Sequence, residues 1–135
     1  MIGRALTPGS AAGAILKLDM PLSFWGGVDL ESGTIVDRSH PRCGVGISRR
    51  ILCMPGARGS SSSSSALVEL ARGGVAPAAI VMQRHDPILV IGSLVTAELY
   101  NHEIPIILLG PTDWACLHEG DVVQIHVIGE NGIID

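Results

Sequence analysis

Charge, aromatic rings and long apolar runs are scarce in this chain, and each scarcity excludes a class of protein. Charged residues make up 16% of the 135 residues and aromatic residues 3%, with a net charge of -4. A nucleic-acid surface needs a basic stripe and rings on which bases stack, so we expect no nucleic-acid partner. The longest apolar run, residues 104–110, is interrupted by Pro105. It is far shorter than the ~20 residues that cross a bilayer, so no membrane contact is predicted.

Cysteine pairs are also lacking. Cys43, Cys53 and Cys116 are odd in number and widely spaced, as expected for reduced thiols rather than a disulfide framework. Without a Cys-x-x-Cys pair, this chain alone is expected to bind no metal and no iron-sulfur cluster. Cys53 lies in an apolar run and is predicted to be a core residue, whereas Cys43 could be functional. The first nine residues do not resemble a secretory signal, which predicts a cytoplasmic location.

Apolar residues, in contrast, are plentiful. They make up 47% of the chain, and the mean hydropathy is +0.41. We expect part of this surplus to lie at an interface with another chain, because large exposed apolar patches usually mark such contacts. The length fits one domain, residues 1–135.

Apolar runs punctuated by glycine predict an α/β fold. Strands are expected at 3–6, 14–18, 51–54, 78–82, 104–109 and 122–128, and helices at 66–72 and 88–100. Asp86 is predicted to cap the second helix, with Pro87 in its first turn. This order indicates a partly closed, barrel-like sheet with flanking helices. Residues 129–135 are interpreted as a short polar tail.

Six consecutive serines, residues 60–65, follow a glycine-rich turn and precede a predicted helix. A serine run can be a flexible linker. A break at residue 60 would, however, leave pieces of about 60 and 70 residues, which bury a core only marginally. A structured loop is therefore favoured, and a loop that opens into a helix aims backbone amides at one point and binds anions. It is neither a Walker loop nor a nucleophile elbow, because the required spacings are absent.

Several motifs in order resemble the small subunit of aconitase X. They are residues 24–29, 33–37 with His40 and Pro41, 56–61, 76–81 and 86–88. The resemblance runs from about residue 3 to about residue 128. It implies a swivelling β/β/α domain that closes over a large subunit. In the family, that partner holds an iron-sulfur cluster or iron, and the small subunit supplies a serine base to the dehydration of a hydroxy acid.

The resemblance also implies the site residues. The base is the first serine after a glycine, which is Ser60 after Gly59, with Ser61 as the second choice. Arg58 and the loop amides would hold a carboxylate. Three further residues are candidates to bind substrate or support the site: Gly27, Asp29 and His40. Asp29 is either a turn residue or catalytic. His40, expected in an exposed loop, either contacts substrate or partner or is solvated.

The sequence leaves alternatives open for both the substrate and the functional class of the protein. Arg58-Gly59 followed by serines resembles members that dehydrate cis-3-hydroxy-L-proline, whereas members acting on phosphomevalonate tend to have Gly-Lys-Gly-Ser-Thr there. A different class is a non-catalytic anion-binding or phospho-carrier module, in which His40 would be phosphorylated. A third is a regulatory domain without a large partner. We also expect Arg84 and His85 to approach the serine-run loop, because both segments follow strands of one sheet.

Overall fold

Seven strands form a closed barrel in the computed structural model, which describes residues 1–135. The elements in chain order are β1 (Ile2–Ala5), β2 (Ser10–Lys17), α1 (Phe24–Gly27), β3 (Ile51–Met54), α2 (Ser63–Arg72), β4 (Ala79–Met82), α3 (Pro87–Tyr100), β5 (Ile106–Leu108), α4 (Pro111–Ala115), β6 (Val122–Ile128) and β7 (Asn131–Ile134). Around the barrel the order is β1-β5-β4-β3-β2-β6-β7. The predicted α/β class is confirmed, and the barrel-like sheet closes fully.

Parallel and antiparallel pairing divide the barrel into two parts. Strands β2, β3, β4 and β5 are parallel neighbours in the barrel. Helix α2 connects β3 to β4, and helix α3 connects β4 to β5. Strands β6, β7 and β1 complete the circle with antiparallel pairs. The carboxyl ends of parallel strands meet at one edge, so the loops after β3 and β4 are brought together there.

Both faces of β3 and β4 are buried. Leu52 and Met54 of β3 pack in a cluster with Leu67 of α2 and Leu89 of α3, on the helix side of the sheet. The alternate residues, Ile51 and Cys53, pack with strand residues from across the barrel. Because strand side chains alternate in direction, this pattern fills the barrel interior. Cys53 is therefore a core residue as predicted, and its burial raises the pKa of the thiol to about 12.

Helix α3 packs through small side chains. Asp86 caps it by accepting hydrogen bonds from the Ile88 and Leu89 amides at 2.9 and 3.2 Å, as predicted. A Cβ on Gly92 would lie 3.0 Å from the Ser64 carbonyl oxygen, so glycine permits the close approach of α2 and α3.

The outward face of α3 exposes large aliphatic side chains: Ile91, Leu94, Val95 and Leu99. At 14 residues, α3 is the longest helix, and no helix has the length and apolarity for a bilayer span.

Two expectations about local structure are wrong or incomplete. Residues 129–135 are not a tail, because β7 pairs with both β1 and β6 and closes the barrel. The predicted helix at 66–72 begins earlier, at Ser63, so half of the serine run is helical. Both differences arise from tertiary contacts, since neither a four-residue strand nor a serine-rich first turn has strong local preference.

The Glu119 carboxylate joins segments that are distant in sequence. It accepts hydrogen bonds from the Lys17 amide and from the Arg42 guanidinium, both at 2.7 Å. Arg50 lies 3.8 Å away and adds a second cation. The Arg42 hydrogen bond is the main cause that holds the pKa of Glu119 below its ordinary value. The carboxylate thereby ties the end of β2 to the loop that precedes β3.

We expect Glu119→Gln to lower the free energy of unfolding by about 1 kcal/mol at neutral pH, because the pair is partly exposed. The native pKa of Glu119 lies below its unfolded value, so this contribution is complete above the unfolded pKa. It is lost as the pH falls through the native pKa. Urea unfolding from pH 7 to pH 3 should show the two curves converging in acid. Glu130→Gln, at an exposed position, is the control and should leave stability unchanged. A constant difference between wild type and Glu119→Gln at every pH would contradict this account.

Candidate functional site

The serine loop, residues 55–62, connects β3 to α2 at the edge where the parallel strands end. The amides of Gln83 and Arg84, just after β4, donate to the Pro55 carbonyl oxygen at 3.3 and 3.1 Å. The Arg84 guanidinium lies against Gly56, where a Cβ would sit 2.8 Å from its Nη2 atom. The expected approach of Arg84 to this loop is thus confirmed. The loop therefore has a cation at its base, Arg84, in addition to Arg58 of the loop itself.

A second segment, between β2 and α1, lies alongside the serine loop. The Arg58 amide donates to the Leu22 carbonyl oxygen at 3.3 Å. Next to it, a Cβ on Gly59 would overlap the Ser23 hydroxyl oxygen, and Gly59 has a φ of +116°. The Ser23 hydroxyl itself donates to the Trp25 carbonyl oxygen at 2.8 Å. Glycine at 59 is therefore required both by the backbone conformation and by the neighbouring segment.

Gly27, Asp37 and Arg58 form a small polar group beside the loop. The Gly27 carbonyl oxygen accepts from the amides of Val36 and Asp37 at 2.9 and 3.4 Å. Asp37 then pairs with the Arg58 guanidinium at 3.5 Å. Hydrogen bonds from Ser39, together with the Arg58 charge, hold the pKa of Asp37 below its ordinary value. The ionised carboxylate pairs with the Arg58 guanidinium, and the Arg58 side chain stays 53% exposed.

Ser60 and Ser61 are exposed at the tip of the serine loop. The Ser60 hydroxyl oxygen accepts a hydrogen bond from the Ser62 amide at 3.2 Å. The backbone amides of Gly59, Ser60 and Ser61 donate to no acceptor within the chain. These donors lie just before α2, whose N-terminus carries partial positive charge. The arrangement can bind an anionic group and favours negative charge on the Ser60 oxygen.

Asp29 belongs to a turn rather than to the serine loop. Its carboxylate accepts from the Glu31 amide at 3.3 Å and from the Ser32 hydroxyl at 2.7 Å. Those bonds lower the pKa of Asp29. Of its two alternatives, the turn role is therefore the one that its contacts support.

The expected exposure of His40 is wrong, because the ring is 3% exposed. Its Nδ1 accepts from the Arg42 amide at 3.0 Å, so Nε2 carries the proton and faces the Met20 carbonyl oxygen at 3.4 Å. Both ring nitrogens are thus occupied by the backbone. The pattern His-Pro in a glycine-rich segment gave no sign of this, since Met20 is distant in sequence. His40 holds the loop before β3 in place.

The sequence matches the family described as aconitase X swivel domain over residues 1–135. The chain belongs to that family. Cis-3-hydroxy-L-proline dehydratase of Pseudomonas aeruginosa is 43% identical over an alignment of 127 residues that covers 89% of this chain and 22% of that protein. Phosphomevalonate dehydratase small subunit of Methanosarcina acetivorans is 34% identical over an alignment of 134 residues that covers 98% of this chain and 88% of that protein. The chain therefore spans about a fifth of the first relative and most of the second.

The structural comparison agrees with the family. The crystal structure of Thermococcus kodakaraensis aconitase X in its holo-form matches with a TM-score of 0.85 and 28% identity, covering 98% of this chain and 95% of that one. The predicted swivel-domain fold is confirmed. In this aconitase X swivel domain, no group of three or more His, Cys, Asp or Glu side chains is placed to hold a metal ion.

Two serines near the site escaped the sequence analysis. Ser23 contacts Gly59 from the neighbouring segment, and nothing in its local sequence indicates this. Ser63, in the first turn of α2, is buried on the face that also carries Ala66, Leu67 and Leu70. The spacing of these residues, extended one turn towards the N-terminus, would have placed Ser63 on the buried face.

We expect Gly59→Ala to lower the free energy of unfolding by roughly 2 kcal/mol or more, because it combines a left-handed φ with overlap at Ser23. Gly44→Ala is the matched control. Gly44 has a φ of +94°, but no atom lies within 4 Å of its Cβ position. It should therefore show only the backbone cost, about 1 kcal/mol. Denaturant unfolding of both variants measures the difference, and equal losses would mean that Ser23 does not constrain the loop.

Proposed function

We propose that this swivel domain is the small subunit of an aconitase X-type hydro-lyase, with Ser60 as its general base. The observation that carries the proposal is the position of Ser60. Its hydroxyl is exposed, lies in the loop two residues before the N-cap of α2, and accepts a hydrogen bond from the Ser62 amide at 3.2 Å. Each of these features favours loss of the hydroxyl proton. The names of the relatives, both dehydratases, support the reaction class.

In this proposal Ser60 removes the proton from the carbon next to the substrate carboxylate. Serine is a very weak acid, so the loop must lower the cost of charge on its oxygen. The Ser62 amide does so directly, and the helix N-terminus and Arg58 do so through their positive charge. An exposed hydroxyl is also open to a substrate carried by another chain.

The substrate carboxylate would bind to the free amides of Gly59 and Ser61 and to Arg58. Asp37 keeps the Arg58 guanidinium oriented at 3.5 Å, while half of that side chain stays open to solvent. An Arg side chain held in this way can make two parallel hydrogen bonds to a carboxylate. Arg84, against Gly56, adds positive charge behind the loop. Gly27, Asp29 and His40 would support the site by shaping the segments around it.

The other half of the site would come from a large subunit. None of the four surface depressions of the domain is lined by a residue of the serine loop, and Ser60 is exposed. Closure of the domain over a partner would enclose it and exclude water. The iron-sulfur cluster or iron is assigned to that partner, where it would act as a Lewis acid on the leaving hydroxyl.

We favour cis-3-hydroxy-L-proline as the substrate, with phosphomevalonate as the alternative. The loop sequence Arg58-Gly59-Ser60 supports the first, as does the 43% identity with the Pseudomonas aeruginosa enzyme. Identity alone does not decide the choice, because a Methanopyrus kandleri phosphomevalonate dehydratase small subunit is 47% identical over 78 residues. A phospho-carrier role is disfavoured, since both nitrogens of His40 are engaged in the interior.

Replacement of the base is the first test. The domain is combined with its large subunit and iron, and Ser60→Ala is compared with Ser61→Ala. Loss of a general base should reduce kcat by roughly 100- to 10,000-fold in Ser60→Ala, with a smaller effect on KM. Ser61→Ala controls for the loss of a neighbouring exposed hydroxyl and should keep most of the activity. Full activity of Ser60→Ala would refute its role, and a large kcat loss only in Ser61→Ala would move the role there.

Substrate choice is tested with the same wild-type complex. We expect a higher kcat/KM on cis-3-hydroxy-L-proline than on phosphomevalonate, because the loop matches the first type of family member. Product formation is followed by mass spectrometry at several substrate concentrations. A higher kcat/KM on phosphomevalonate would overturn the substrate assignment and leave the dehydratase class intact.

A further inference from the structure

One buried hydroxyl in this domain has no hydrogen-bond partner. Ser63 is 4% exposed, and its Oγ is the sole buried side-chain oxygen or nitrogen without a donor or acceptor. The other buried hydroxyls, those of Thr7, Ser93 and Thr96, all bond to carbonyl oxygens. A buried polar group without a partner costs free energy, so such groups are rare and require an explanation. The position of Ser63 supplies one.

Ser63 is the first residue of α2, a helix of ten residues, and is buried. A Cβ on Gly59 would lie 3.6 Å from Ser63 Oγ, so the hydroxyl lies next to Gly59 of the serine loop. The amides of Gly59, Ser60 and Ser61, within the four residues before Ser63, donate to no acceptor in the chain. The unpartnered hydroxyl therefore lies against Gly59, in the segment that carries these unpartnered amides into the positive end of a helix.

The neighbouring serines differ from Ser63 in this respect. The Ser64 hydroxyl donates to the Ser61 carbonyl oxygen at 2.9 Å, and the Ser60 hydroxyl accepts the Ser62 amide. Ser61 and Ser65 are exposed and can bond to water. Within the run, Ser63 alone has a buried hydroxyl without a hydrogen-bond partner in the chain.

We propose that Ser63 is a substrate-binding residue whose hydroxyl donates to the substrate carboxylate. This inference rests on the proposed function, in which the serine loop receives that carboxylate. Contact between the Ser63 hydroxyl and the carboxylate requires the Gly59 peptide to shift when the anion reaches the loop amides, and glycine has the backbone freedom for that shift. The Ser63 hydroxyl then gains the acceptor that it lacks in the free domain. The unsatisfied Ser63 hydroxyl destabilises the loop in the free domain, and binding of the carboxylate recovers that free energy.

The test uses Ser63→Ala in the complex with the large subunit and iron, with Ser64→Ala as the matched control. The probe is L-proline, which has the carboxylate but no leaving hydroxyl, measured as a competitive inhibitor of cis-3-hydroxy-L-proline dehydration. Loss of one hydrogen bond to a charged group should raise the inhibition constant in Ser63→Ala by about tenfold. KM should rise in parallel and kcat should change less. The inhibition constant of L-proline for Ser64→Ala should equal that for wild type.

Two further measurements separate binding from structure. The midpoint of urea unfolding of the Ser63→Ala domain alone should be equal to or above that of wild type, because an unsatisfied hydroxyl is removed. L-prolinamide, in which a neutral amide replaces the carboxylate, should lose less affinity than L-proline in Ser63→Ala. Equal losses for both probes, a lowered urea midpoint, or unchanged L-proline inhibition would each overturn the inference.

The outcomes also distinguish this inference from the role of Ser60. If Ser60→Ala loses activity while Ser63→Ala binds L-proline as wild type does, the inference fails and the Ser60 proposal stands. If Ser60→Ala is fully active while Ser63→Ala binds L-proline more weakly, the carboxylate contact stands and the base must be another group.

Discussion

Strand β3 has a parallel neighbour on each side, and all four of its residues are buried. Because both faces and both edges are occupied, the direction of this strand cannot vary. The serine loop leaves from its end, and the segments after β2 and β4 leave from the same edge of the barrel. The contacts of Gly59 with Ser23 and of Gly56 with Arg84 follow from this shared edge. The candidate site therefore depends on the packing of a strand that contributes no functional side chain to it.

One residue type serves several purposes within the serine run. Ser60 is exposed and accepts an amide, Ser63 is buried beneath Gly59, and Ser64 bonds to the Ser61 carbonyl oxygen. Their chemical groups are identical, so the differences arise from burial and from position relative to the first turn of α2. Serine suits this place because it tolerates a helix start and can exchange backbone for solvent partners. A homopolymeric stretch can thus encode a specific site when the helix that follows it is fixed.

Features with local causes could be predicted from the sequence, and features with distant causes could not. The Asp86 cap and the strand at 122–128 follow from neighbouring residues, and both are present. Strand β7 was missed because its pairing depends on β1, at the other end of the chain. The burial of His40 was missed because Met20 supplies its partner. For the candidate site, family resemblance indicated the loop and Ser60, whereas the unsatisfied hydroxyl of Ser63 depends on how α2 packs against the loop and the core, which the sequence does not show.

The pairing of β1 with β7 brings the two ends of the chain to one seam of the barrel. The Met1 ammonium group donates to the Ile134 carbonyl oxygen at 2.9 Å, and the Ile134 amide donates to the Met1 carbonyl oxygen at 2.8 Å. Further polypeptide attached at either end should therefore disturb the hydrogen bonds between β1 and β7 little. The same holds for a circular permutation that joins the two ends and opens the chain at a surface loop. The segment matching this domain is 22% of the Pseudomonas aeruginosa protein, and the Methanosarcina acetivorans small subunit is matched over 88% of its length. Adjacent ends make a single barrel compatible with both covalent arrangements, a fused domain and a detached subunit.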